Sequence, residues 1–229
     1  MRELKFPILI INFKTYPEAT GKRAIELARV AEKIAKELGV CIAVCPQHVD
    51  LPKVAESVEI PVLAQSIDPV EPGAHTGHIT ALAVKEAGAV GTLVNHSEKR
   101  VRLDEIRKVI EECRKYNLYC IACAATCREA AAIAILEPTA VAVEPPELIG
   151  TGRAVSKERP ELITESVELV KKVAPNVPVL CGAGIESGED VKRALELGAQ
   201  GVLVASAIVK AKNWEEKILE MAKQLVQSK

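Results

Sequence analysis

The sequence predicts an α/β protein: a single closed (β/α)8 barrel occupying residues 1–229 as one domain. Three observations predict it. Eight short apolar runs recur along the chain, nearly continuous in apolar character, as parallel strands buried on both faces require. Most are separated by segments with apolar residues at helical spacing. The 229 residues, 48% of them hydrophobic, suffice for one core of this size, and no linker or low-complexity stretch divides them. An open, doubly wound sheet is the alternative arrangement of the same units.

The first run, residues 7–11, reads as a strand. Its apolar stretch extends only from Phe6 to Phe13 and lacks the cleavage site of a leader peptide. Ala24, Ala28, Ala31, Ala35 and Leu38 then mark one face of a helix. Runs at 40–44 and 61–64 give the second and third strands. Residues 66–80 follow as the longest irregular segment, with two prolines and two glycines, before the fourth run at 90–94. Leu103, Ile106, Val109, Ile110 and Cys113 mark the next helix face, ahead of a fifth run at 118–122. The sixth run, 140–143, ends in Glu144. Ile163, Val167, Val170 and Ala174 mark a helix before the seventh run at 177–180. Ser187 and Asp190 fit a capping box, and Gly198 suits the stop of that helix. The eighth run is 201–204, and Trp214, Ile218, Met221 and Leu225 mark the last helix.

Composition narrows the function. A net charge of −1 and 3% aromatics give no support to nucleic-acid or membrane-surface binding. No apolar run approaches the ~20 residues of a membrane helix. Seven cysteines, an odd number in a chain of this size, argue against a disulfide framework and for a reduced, cytoplasmic setting. Cys120 and Cys123 form C-x-x-C, but within a strand their odd separation puts them on opposite faces.

In such a barrel the residues just past each strand share one face, where barrel enzymes keep their sites. Those positions are Asn12-Phe13-Lys14, Asn95-His96-Ser97-Glu98, Glu144, Gly182-Ala183-Gly184 and Ala205-Ser206. Glu144 precedes two prolines and a loop closing on Gly150-Thr151-Gly152, the form of a general base under a hinged lid; a solvated strand-end glutamate is the plainer reading. Gly184, Ala205, Ser206 and the lid pair Ile149 and Gly150 offer backbone N–H groups to a phosphate. Asn12 shares a strand face with Lys14 and is placed to hold its ammonium. His96 stands at an expected helix start, where the dipole favours a neutral, electrophilic imidazole.

The segments N-F-K at 12–14, N-H-S-E-K-R at 95–100 and E-P-P-E-L-I-G-T-G at 144–152 together resemble the triosephosphate isomerase family. G-A-H-T-G at 73–77 resembles that family's intersubunit loop, and the short chain resembles its archaeal branch, whose members trim outer helices. The resemblance implies the TIM barrel and the interconversion of dihydroxyacetone phosphate and D-glyceraldehyde 3-phosphate, a step of glycolysis and gluconeogenesis. It implies an enediolate intermediate, with no cofactor and no metal. Glu144 would be the base and neutral His96 the group that polarises the carbonyl. Lys14, positioned by Asn12, would stabilise the enediolate oxygen. Ile149, Gly150, Gly184, Ala205 and Ser206 would hold the phosphate.

The chain departs from the family pattern in four places. Its lid begins Pro145-Pro146-Glu147 where P-V-W is common. Strand seven ends Cys181-Gly182-Ala183-Gly184 where Y-G-G-S is common, so the tyrosine and serine hydroxyls that usually latch the lid are missing. Ala205-Ser206 replaces two glycines, and Lys99 replaces an arginine. Two other functions fit parts of the pattern: a lyase or synthase using Lys14 as a Schiff-base nucleophile, and a non-catalytic phosphate-ligand sensor.

The 66–80 loop is long and must bury something to be ordered. The resemblance implies that its tip, near Thr76, enters a neighbouring subunit beside Asn12 and Lys14. Metal binding by His75 and His78 is the lesser alternative. Short outer helices leave apolar surface around 124–136 for a second contact. A homotetramer is expected, with a dimer as runner-up.

Overall fold

In the computed structural model, residues 3–144 and 160–226 are described. Eight parallel strands alternate with helices. The strands are β1 (Ile8–Asn12), β2 (Cys41–Cys45), β3 (Leu63–Ala64), β4 (Gly91–Val94), β5 (Tyr119–Ala124), β6 (Ala140–Val143), β7 (Val179–Cys181) and β8 (Gly201–Val204). The helices are α1 (Lys22–Leu38), α2 (Leu51–Ser57), α3 (Ala81–Glu86), α4 (Leu103–Lys115), α5 (Cys127–Ala134), α6 (Pro160–Val173), α7 (Gly188–Glu196), α8 (Ser206–Val209) and α9 (Trp214–Val226). Strand order around the sheet is β2-β1-β8-β7-β6-β5-β4-β3. The ends meet through a parallel bridge between Val44 and Val62, so the sheet is a barrel and the open-sheet alternative fails.

Strand alternation sorts the core into two layers. Ile8, Ile10, Cys45, Leu93, Cys123 and Leu180 belong to the cluster that fills the barrel. Leu9, Ile11, Val44, Cys120, Val141 and Val202 belong to the outer cluster, packed with the helices. Cys120 and Cys123 thus sit on opposite sides of β5, as their spacing predicts.

Boundaries differ from the sequence pattern where proline intervenes. β3 is two residues long because Pro61 has no N–H to give the ladder; only its carbonyl joins, accepting from the Val44 N–H at 3.1 Å. β7 likewise starts after Pro178, whose carbonyl accepts from the Val141 N–H. On the opposite face β1 runs on to Asn12 and β5 to Ala124, extending the barrel wall toward the site. The Ser187 and Asp190 capping box forms as predicted at the start of α7. Gly198, at φ 95°, ends the turn behind that helix, a conformation glycine adopts without strain.

Candidate active site

Asn12, Lys14, His96, Glu144, Gly184, Ala205 and Ser206 line one cavity on the carboxyl-end face of the barrel. Ile149 and Gly150 lie outside the described residues.

Glu144 extends the β6 ladder by one residue. Its N–H donates to the Ala124 carbonyl at 2.7 Å, while the Gly182 N–H donates to the Val143 carbonyl at 2.9 Å. The carboxylate is buried, 2% exposed. Oε2 accepts from the Ser97 N–H at 3.4 Å; Oε1 has no hydrogen-bond partner among the described residues. Burial pushes its pKa up to about 7, against the Ser97 N–H, the Lys14 charge and the Cys123 thiol, which favour ionisation.

His96 stands 3.5 Å from Glu144, measured from Nε2 to Oε1. The helix expected to begin at His96 does not; α4 starts at Leu103, and His96 opens a turn closed by a bond from the Lys99 N–H to the His96 carbonyl. The imidazole is still held neutral, by another cause. Burial lowers its pKa to about 4, and the Lys14 charge acts in the same direction. Its contacts with Glu98 and Glu144 are therefore polar contacts, not ion pairs. The Glu98 N–H donates to Nδ1 at 3.2 Å, which leaves the ring proton on Nε2, facing Glu144.

Lys14 occupies a left-handed backbone conformation, φ 46°. Two side chains clamp that strained residue. Asn12 Oδ1 accepts from its N–H at 3.0 Å, and Gln65 Nε2 donates to its carbonyl at 2.8 Å. Asn12 thus holds the lysine backbone, not the ammonium as the sequence suggested. The ammonium pairs with Glu98 at 2.8 Å.

Sequence reasoning passed over three of these groups. Glu98 was quoted in its motif without a role. Gln65 follows β3 and obeys the same strand-end rule that marked the others. Gly182, marked by the sequence only as a strand-end position, contributes clearance: a Cβ there would lie 2.5 Å from Glu144 Cγ and 3.2 Å from the Val143 carbonyl.

On the other side of Lys14 a groove of about 470 Å3 opens between His48, Gln65, Ser66 and Ile79. Its wall is the base of the 66–80 loop. There the Asp68 N–H donates to the Ile79 carbonyl and Asp68 Oδ2 accepts from the Ile79 N–H, both at 2.8 Å. Lys99 ties that closure to the His96 turn through Ser66 Oγ at 3.1 Å.

The family model for triosephosphate isomerase matches residues 7–222. The chain belongs to the triosephosphate isomerase family. Among similar proteins, the triosephosphate isomerase of Pyrobaculum arsenaticum is 55% identical over 223 residues, 97% of this chain and all of that one. That of Pyrobaculum calidifontis is 56% identical over 97% of this chain and 98% of its own length. That of Methanocaldococcus jannaschii is 53% identical over 94% of this chain and 99% of its own. The chain is accordingly an isomerase of triose phosphates. The Schiff-base and sensor alternatives are not favoured. Among the described residues no helix is long and apolar enough to cross a membrane, and no group of three or more His, Cys, Asp or Glu is placed to hold a metal.

Proposed function

We propose that Glu144 is the base, His96 the electrophile and Lys14 the charge that carry the isomerisation of dihydroxyacetone phosphate and D-glyceraldehyde 3-phosphate. The observation that carries this reading is Glu144 Oε1: a buried carboxylate oxygen without a partner among the described residues, 3.5 Å from His96 Nε2. Oε1 removes a proton from the carbon beside the carbonyl. The C–H electrons form the carbon–carbon double bond of the enediolate, and the carbonyl oxygen takes the negative charge. Nε2–H donates to that oxygen and shuttles the proton between the two oxygens. The Lys14 ammonium, on a clamped backbone and held by Glu98 at 2.8 Å, stabilises the oxyanion. Glu144 then returns its proton to the neighbouring carbon.

Gly184, Ala205 and Ser206 line the same cavity and take the phosphate through backbone N–H groups, with Ile149 and Gly150 completing the grip. A coupled assay with both triose phosphates tests the assignment. Glu144→Asp withdraws the carboxylate by one methylene and is expected to lower kcat far more than it raises KM. Unimpaired turnover in Glu144→Ala would sink it.

We also infer a homotetramer, with a dimer as runner-up. Residues 71–78 stand exposed on the single chain, and the groove beside Lys14 is open to a neighbour's loop. Ile135, 61% exposed within the 124–136 stretch, supplies apolar surface for the second contact. A cytoplasmic setting fits the seven free thiols, six of them buried.

A further inference from the structure

The turn that carries His96 and Glu98 has no helix to fix it, since α4 begins at Leu103. It is fixed at Asn95. This residue is buried, 3% exposed, and holds φ 60°. Glycine reaches that conformation with less strain, but asparagine also tolerates it and brings a side chain. Asn95 Nδ2 donates to the Cys123 carbonyl at 2.9 Å and to Glu129 Oε1 at 3.0 Å. Its Oδ1 accepts from the Val101 N–H at 3.0 Å, closing the turn from the far side. Arg100 Nη1 donates to the Asn95 carbonyl at 3.3 Å, and Arg100 Nη2 pairs with Glu129. Glu129 is itself fixed in the first turn of α5, where Oε2 accepts from the Ala125 N–H at 2.9 Å. Both ends of the turn are therefore tied to one carboxylate on α5, a helix with no residue among those lining the catalytic cavity.

We propose that Asn95 is a positioning residue for the His96 imidazole, acting with Arg100 through Glu129 to hold the turn in which His96 and Glu98 stand. The proposal rests on the reading of His96 as the carbonyl-polarising group. The chemistry that makes it testable is the direction of the hydrogen bonds. Asn95→Asp keeps size and shape but sets an oxygen against the Cys123 carbonyl and Glu129 Oε1.

Two variants, Asn95→Asp and His96→Gln, are measured for kcat, KM and the ring-nitrogen signals of His96. Asn95→Asp is expected to lower kcat about 30-fold with KM changed less than about threefold. The His96 ring signals should move in Asn95→Asp; His96→Gln identifies them among the four histidines. A folded Asn95→Asp enzyme with wild-type kcat and unmoved signals overturns the proposal, as does a loss of kcat that leaves the His96 ring signals unmoved. Full turnover in His96→Gln overturns the reading of His96 instead, and the ring signals, which need no activity, still decide the role of Asn95. Should Asn95→Asp not fold, Asn95→Gly, which relieves the backbone and removes the ties, carries the same measurements and the same overturning result.

Discussion

At the residue scale, Glu144 trades stability for reactivity. Its pKa is near 7 when folded against an ordinary 4.5, so the native state binds a proton that the unfolded chain releases. Stability contributed by the protonated acid is fully present below about 4.5 and is lost as pH rises through about 7. Above that, the buried carboxylate costs on the order of 3 kcal/mol. Glu144→Gln is therefore expected to abolish turnover while melting higher than the wild type at pH 8, with the gap closing toward pH 4.5. A gap independent of pH would contradict the burial argument. The same ionisation predicts that kcat/KM falls as pH drops below about 7, because the base is then protonated. His96, with its pKa near 4, adds no second titration in the neutral range. Gly182 sets the carboxylate's position from below. Gly182→Ala would drive a methyl into Glu144 Cγ, so kcat should fall by about tenfold or more while the barrel stays folded, checked by kinetics beside circular dichroism.

At the scale of elements, the strands were legible because each is a compact apolar run whose alternate residues fill one of two dry layers. The read of β6 and β8 was correct to the residue, with no proline in either run. β3 and β7 were misjudged at Pro61 and Pro178, where apolar character continues but hydrogen bonding cannot. The site was legible wherever a strand end placed a side chain, as at Lys14 and Glu144. Connections between distant segments were not: nothing local reveals that Glu98 reaches Lys14, or that Glu129 holds Asn95 from 34 positions away. The closing strand adds a prediction of its own. Gly201, at φ 145°, packs so tightly on β1 that a Cβ would meet the Ile8 carbonyl at 2.3 Å. Gly201→Ala is expected to cost about 3 kcal/mol or more through strain at that seam, lowering the denaturant midpoint without changing the unfolding slope.

At the scale of the whole molecule, the single chain leaves its own site open on one flank. The groove beside Lys14 faces solvent, while the 66–80 loop projects as a closed finger with residues 71–78 exposed. A surface and a projection of this kind on every copy suit a two-fold contact, in which each supplies what the other lacks. Light scattering at micromolar concentration is expected to give about four chain masses of 24.6 kDa. Two chain masses would remove the second interface alone, and one would remove both.

The Asp68–Ile79 closure at the root of that finger bears on how fast the subunits of the proposed assembly would find one another. A segment already shaped before encounter docks without waiting for a folding step, so association is expected to be limited by diffusion and orientation, at about 10^5–10^7 M−1 s−1. Asp68→Ala unlatches the finger and leaves its tip chemistry untouched. Its effect belongs in the association rate, with the residence time of the assembled pair nearly unchanged.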